Sequence, residues 1–325
     1  MNLRFLLPPI VVGSLVGCAS TPSTPEVVPA DSPRTYPLPV SAPGDSKLDA
    51  SSDRFGLLLM AHGGDSAWNA SVEAEVDELR GTLPVALAFG MANPVSLRTA
   101  LDELETQGVR TAAVVRLFLS GESFRKQTDW YLGMTDTPPD DFVLMGPAAS
   151  DPDARAQLEH DLRLVTHDRG LLDTDLVRDI LADRAASLSV TPTRESVLLI
   201  AHGMGDDDKN SAVEANLERI ADSMTERGFA RVEGTTLRED WPEKRRLAEA
   251  EIREFVDREA GAGRRVIVLP ARLSGFGPYA QVLDGLEYVA GEGILPHPAL
   301  SDWILSTGTE LGCSRGWIAA EACER

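Results

Sequence analysis

Two histidines, His62 and His202, each stand after an apolar run and before a glycine, in the segments FGLLLMAHGGDSAWN (55–69) and SVLLIAHGMGDDDKN (196–210). A neutral imidazole binds a divalent cation and also accepts a proton near neutral pH. A histidine at an open strand end is therefore a candidate metal ligand and base, its plainer role being a structural hydrogen bond within the loop. Glu122, in the loop Ser120-Gly121-Glu122-Ser123, is a candidate ligand or proton acceptor, its plainer role being a solvated carboxylate. Arg125 and Lys126 are cations suited to substrate carboxylates, or a solvated surface pair. The run Asp206-Asp207-Asp208 reads as a helix N-terminus favoured by the dipole or as oxygen ligands for a hard cation, although it lacks the alternation of a calcium loop. Of the remaining histidines, His160 and His167 are expected on an exposed helix and His297, between two prolines, in a turn. Trp68 and Trp130 read as packing residues. No phosphate-binding glycine loop and no G-x-S-x-G elbow occurs, so no organic cofactor is expected.

The elements that position these residues come in two similar sets. In the first, strands are expected at Leu57–Ala61, Val85–Phe89 and Thr111–Leu119, with helices at Ser71–Gly81 and Val95–Gln107. In the second, strands at Val197–Ala201, Arg231–Leu237 and Arg265–Leu269 alternate with helices at Ala212–Arg227 and Pro242–Ala260. The tripeptide Leu-Ser-Gly follows the third strand both times, at 119–121 and 273–275. Strand-helix alternation with short turns implies parallel sheets with helices on both faces, and the two-fold recurrence implies a duplication. The fold class is α/β, two duplicated Rossmann-like halves, with domains at 54–190 and 194–325. Between them, helices are expected around Ala154–Val165 and Asp173–Leu188.

The chain has 325 residues, 31 basic and 51 acidic, for a net charge of −20, a field that repels nucleic acid and anionic lipid headgroups. No nucleic-acid partner is expected. The N-terminus carries a short basic region and an apolar stretch too short to span a bilayer, ending in Leu15-Val16-Gly17-Cys18. This resembles a lipoprotein lipobox, which implies a signal peptide over 1–18, lipid modification of Cys18 and an exported, membrane-anchored protein of the bacterial cell envelope. Residues 19–53, dense in Pro, Ser and Thr, read as a disordered tether. In an exported chain, Cys313 and Cys323 are expected to pair as a disulfide rather than hold a metal.

The segments around His62-Gly63, Ala88-Phe89-Gly90-Met91-Ala92-Asn93-Pro94, Gly108-Val109-Arg110 and Val114-Val115-Arg116-Leu117-Phe118-Leu119 resemble the CbiX/SirB class II chelatases. His202-Gly203 and Ile267-Val268-Leu269-Pro270 repeat the resemblance in the second half. It implies a chelatase that inserts cobalt or iron into a sirohydrochlorin-type tetrapyrrole held in a cleft between the halves. The divalent metal is a substrate, His62 and His202 are its ligands, and His62, His202 and Glu122 are the catalytic groups. The pattern departs at one point. A second family histidine just after the third strand is replaced by Ser123. The alternative is a non-catalytic envelope lipoprotein that binds a metal or a tetrapyrrole.

Overall fold

The computed structural model describes residues 54–323. The expected signal peptide, Cys18 and the tether lie outside the described residues. In chain order the first half contains β1 (Arg54–Ala61), α1 (Ser66–Arg80), β2 (Val85–Phe89), α2 (Pro94–Thr106), β3 (Val109–Arg116), α3 (Arg125–Tyr131), β4 (Arg163–Thr166) and α4 (Asp175–Leu188). The second contains β5 (Glu195–Ala201), α5 (Asp207–Glu226), β6 (Arg231–Thr236), α6 (Pro242–Gly261), β7 (Arg265–Pro270), α7 (Tyr279–Val282), β8 (Val289–Ala290), α8 (Pro298–Ser314) and α9 (Ala320–Cys323). The strands form two four-stranded sheets, ordered β2-β1-β3-β4 and β6-β5-β7-β8, with every pairing parallel. The duplicated α/β architecture expected from the sequence is thus the observed one.

Because successive strand residues face opposite ways, each central strand feeds two cores. Leu57, Leu59 and Ala61 of β1 share one continuous core with Val197, Leu199 and Ala201 of β5. Leu58 and Met60 turn to the other side, against Leu97, Leu101 and Leu104 of α2, while Leu198 and Ile200 meet Ile252, Phe255 and Val256 of α6. Burial on both faces explains the unbroken apolar runs in the sequence. Each fully buried leucine contributes about 1.5–3 kcal/mol by leaving water.

The last long helices are exchanged between the halves. The second-half helix α8 packs on β3, and the first-half helix α4 packs on β7. Gly308 on α8 lies so close to Leu57 that a Cβ there would collide with it, so the helix rests directly on the first sheet. Cys313 at its C-terminal end is disulfide-bonded to Cys323.

Side-chain caps set where the helices begin. Asp65 accepts a hydrogen bond from the Trp68 amide at 2.9 Å, and Asp206 accepts one from the Lys209 amide at 2.9 Å. Both α1 and α5 therefore start earlier than their apolar periodicity predicts. Asn93 caps α2 through the amides of Val95 and Ser96, with Pro94 at the first helical position. Asn93→Ala is expected to cost about 1 kcal/mol, read as a lower denaturation midpoint with an unchanged slope.

One expected helix is absent. The segment 154–165 begins with a short 3-10 turn at Pro152–Arg155 and ends in β4, where Thr111 to Val114 of β3 pair with Arg163 to Thr166. The open edge of β3 offers backbone partners that outweigh the helical propensity of the segment.

Candidate functional site

His62 and His202 end the two central strands, and in both the Nδ1 atom meets the carbonyl of the following glycine, at 2.9 Å for Gly63 and 2.8 Å for Gly203. Those glycines take φ of 80° and 83°, the left-handed region that lets the carbonyl turn back to the ring. A Cβ at Gly203 would also stand 2.8 Å from Thr236. When Nδ1 donates its proton to that carbonyl, Nε2 is left with an outward lone pair. That is how a ligating imidazole is commonly oriented. Two loop amides are held alongside: Asn69 accepts from the Gly64 amide and Asn210 from the Met204 amide, each at 2.9 Å.

A hydrogen bond links helix α1 of the first half to the loop that follows β7 of the second. The hydroxyls of Ser71, in α1 just beyond His62, and Ser274, just beyond β7, are 2.8 Å apart. Since β7 neighbours β5, helix α1, which follows the His62 loop, touches a loop at the carboxyl end of the second sheet, the end where parallel sheets usually bind ligands.

The surroundings of the two histidines differ. His62 is exposed, and two residues before Pro94 the first half has Ala92. Two residues before Pro242 the second half has Asp240, whose Oδ2 is 3.2 Å from Nε2 of His202. The Trp241 ring packs edge-on against the His202 ring at 6.0 Å. Sequence reasoning passed over Asp240 and Trp241; their place immediately before the helix-starting proline was the available signal. The neighbouring acids are committed elsewhere. Asp207 bonds Arg238 at 2.6 Å and Lys244 at 2.5 Å, contacts that hold its carboxyl below the usual range, and Glu239 pairs with Arg272 at 2.9 Å. The acidic run at 206–208 is accordingly a capped helix start.

The loop after β3 is organised by Arg116, which is 1% exposed. Its guanidinium donates to the carbonyls of Gly121 at 2.7 Å, Ser123 at 3.0 Å and His167 at 3.2 Å. Burial pushes its pKa down. Glu122 points to solvent, 3.8 Å from Arg125, and Arg125 lies 3.7 Å from Asp129. Among the described residues, no three His, Cys, Asp or Glu side chains gather where they could hold a metal, so His62, His202 and Glu122 are not a ready-made three-ligand set.

The remaining histidines have structural places. His167, expected on an exposed helix, is instead buried just after β4, and its Nε2 accepts from the Arg116 amide at 3.4 Å. Burial, helped by the charges of Arg116 and Arg169, brings its pKa down to about 4. His160 is half-buried in a loop, and His297 caps α8 by accepting from the Ala299 amide. Trp130 donates to the Arg155 carbonyl at 2.8 Å and borders the outer core, and Trp68 meets Phe89 edge-on.

No protein-family model and no curated protein matches the chain. Solved structures do. SirB from Bacillus subtilis with Fe3+ matches at 16% identity with a TM-score of 0.56, over 81% of this chain and 98% of that one. The sirohydrochlorin chelatase SirB from Bacillus subtilis subspecies spizizenii in complex with cobalt matches at 14% and 0.53, over 81% and 97%. DR2241 from Deinococcus radiodurans, a multi-domain protein with structural similarity to chelatases, matches at 21% and 0.51; 78% of this chain is covered, and it spans 55% of that protein. Two parallel sheets, each with a histidine at the end of its central strand, sharing one core and exchanging helices, thus constitute a fold like that of the CbiX/SirB class II chelatases.

Proposed function

We propose that the protein handles a divalent metal, cobalt or iron, together with a sirohydrochlorin-type tetrapyrrole at the mouth where the strand ends of the two halves meet. The observation that carries this reading is the paired histidine geometry. In a chelatase-like fold, both imidazoles are locked through Nδ1 to a glycine carbonyl so that Nε2 faces outward. Metal insertion needs a group that takes protons from the pyrrole nitrogens beside a group that holds the cation. His62, exposed and, among the described residues, without an acidic partner, is assigned the base; His202 and Glu122 assist. Arg125 and Lys126, on the same loop and helix as Glu122, are cations suited to the carboxylates of the macrocycle.

The test is absorbance of sirohydrochlorin mixed with purified protein and Co2+ or Fe2+. Insertion at many turnovers per protein, slowed at least tenfold in His62→Ala, is the expected result. Stoichiometric binding without turnover sinks the enzyme and leaves a binding protein. That second reading has its own support in Ser123, which stands where the family places a histidine, and in the lack of a three-ligand group among the described residues. Binding of neither ligand removes both. Attachment to a membrane through Cys18 belongs to the same proposal, and mass spectrometry of the mature N-terminus checks it.

A further inference from the structure

The second sheet carries an ion pair whose matching positions in the first sheet are apolar. The order β6-β5-β7 sets β5, with His202 at its end, between two strands whose following loops hold Glu239 and Arg272. Arg272 Nη1 donates to Glu239 Oε1 at 2.9 Å, so the pair joins the loops on either side of the histidine's own strand. The amide of Glu239 in turn donates to the His202 carbonyl at 3.1 Å, and Trp241, two residues on, packs edge-on against the imidazole at 6.0 Å. Three residues before its proline and one before its Leu-Ser-Gly, the first half has Met91 and Phe118. We infer that Arg272 is a positioning residue for His202, acting through Glu239: it pins the loop after β6, which holds both the carbonyl and the ring of the histidine.

Three features make that loop depend on the arginine. The Glu239 side chain is 12% exposed, and a carboxylate so buried is costly without a charged donor. Loss of Arg272 therefore drives Glu239 toward solvent, and the amide and Trp241 move with it. Arg238, the residue before, takes φ of 58°, a left-handed conformation that a non-glycine residue keeps only where its surroundings hold it. The guanidinium itself is preset. It lies over the Tyr279 ring, 5.7 Å from the centroid, and Gly277 leaves the space it fills, since a Cβ there would collide with Nη1.

This inference rests on the reading that His202 assists metal insertion, and it adds what fixes that histidine before substrate arrives. A group already in place needs no ordering at the moment of reaction.

The test uses the purified full chain with 13C-labelled histidine, whose five ring signals are assigned by replacing each histidine in turn with glutamine. In Arg272→Gln and in Glu239→Ala the His202 signal is expected to shift and broaden while those of His160 and His297 stay in place. Arg272→Lys, which keeps the charge, is expected to shift it less. In the insertion assay kcat is expected to fall about tenfold in both variants, with KM for sirohydrochlorin within about twofold of the parent and part of the rate restored in Arg272→Lys. If Arg272→Gln fails to fold, Glu239→Ala, which removes the buried charge instead of stranding it, gives the same reading. The inference is overturned if the His202 signal is unmoved in Glu239→Ala, if all five signals shift together, as a merely structural pair requires, or if the signal moves while kcat stays at the parent's value. A parent that inserts no metal removes the proposed function, and the His202 signal then still shows whether Arg272 holds the histidine.

Discussion

Arg116→Ala is expected to destabilise the protein by about 3–5 kcal/mol, the range for removing one member of a buried charged hydrogen-bond network. The guanidinium is 1% exposed and serves three carbonyls, those of Gly121, Ser123 and His167, the last of which also accepts from the Thr166 hydroxyl. Water replaces the lost donor only by opening the loop, and each carbonyl left buried costs about 1–3 kcal/mol. Arg116→Lys is expected to recover little, because a single ammonium cannot span carbonyls arranged around a planar fork. Urea unfolding gives the loss in stability, and protease sensitivity at 120–124 reports the loop. A melting temperature within a few degrees of the parent would show that Arg116 only fills space.

The second large effect is acid lability centred on His167. Burial beside Arg116 and Arg169 depresses its pKa from 6.5 to about 4, so between those values the unfolded chain binds a proton that the folded chain refuses. Stability must therefore rise with pH across this window. The contribution is fully present above about pH 6.5, falls as the pH drops toward about 4, and amounts to about 3 kcal/mol. His297, pushed down by burial and by Arg184, adds to the same slope. Glu75, which burial pushes up, gives a slope of the opposite sign. Glu259 acts lower. Burial works to raise it, but hydrogen bonds from Arg264, Ser196 and Arg258 outweigh this and hold it at about 2, so its contribution is kept above about pH 4.5 and lost as pH falls toward about 2. Comparing His167→Gln with the parent isolates the histidine: urea midpoints at pH 7 and pH 4.5 should differ less in the variant. Equal shifts in both proteins would assign the lability to other groups.

Legibility followed range along the chain. The strand runs, the helix periodicity, the twin histidines and the repeated Leu-Ser-Gly are local patterns, and the parallel two-sheet fold follows from them. Helices α1 and α5 start several residues before their apolar periodicity begins because Asp65 and Asp206 cap them, the second within an acidic run that already reads as a helix N-terminus. The region 154–165 departs from its helical composition because the open β3 edge, which that composition does not reveal, captures it. His167 looked like a polar surface residue for the same reason, since the partner that buries it, Arg116, is about fifty positions away. Arg116 itself was legible as part of a strand motif, and its three bonds were not.

What the amino-acid order determined by itself is the repeated unit: a buried strand, a histidine, a glycine that frees the backbone to turn, and a capped helix, written twice. These depend on neighbours within a few residues, where burial period, side-chain caps and φ preference act directly. What only the tertiary structure decided is how the copies are joined and how they differ. The exchange of α4 and α8, the Ser71–Ser274 contact between α1 and the loop after β7, and, among the described residues, the carboxylate beside His202 but not His62 all bring together side chains or elements far apart along the chain. Such contacts depend on the shared core that both sheets build, so the two histidines that read alike in sequence stand in unlike chemistry in the fold.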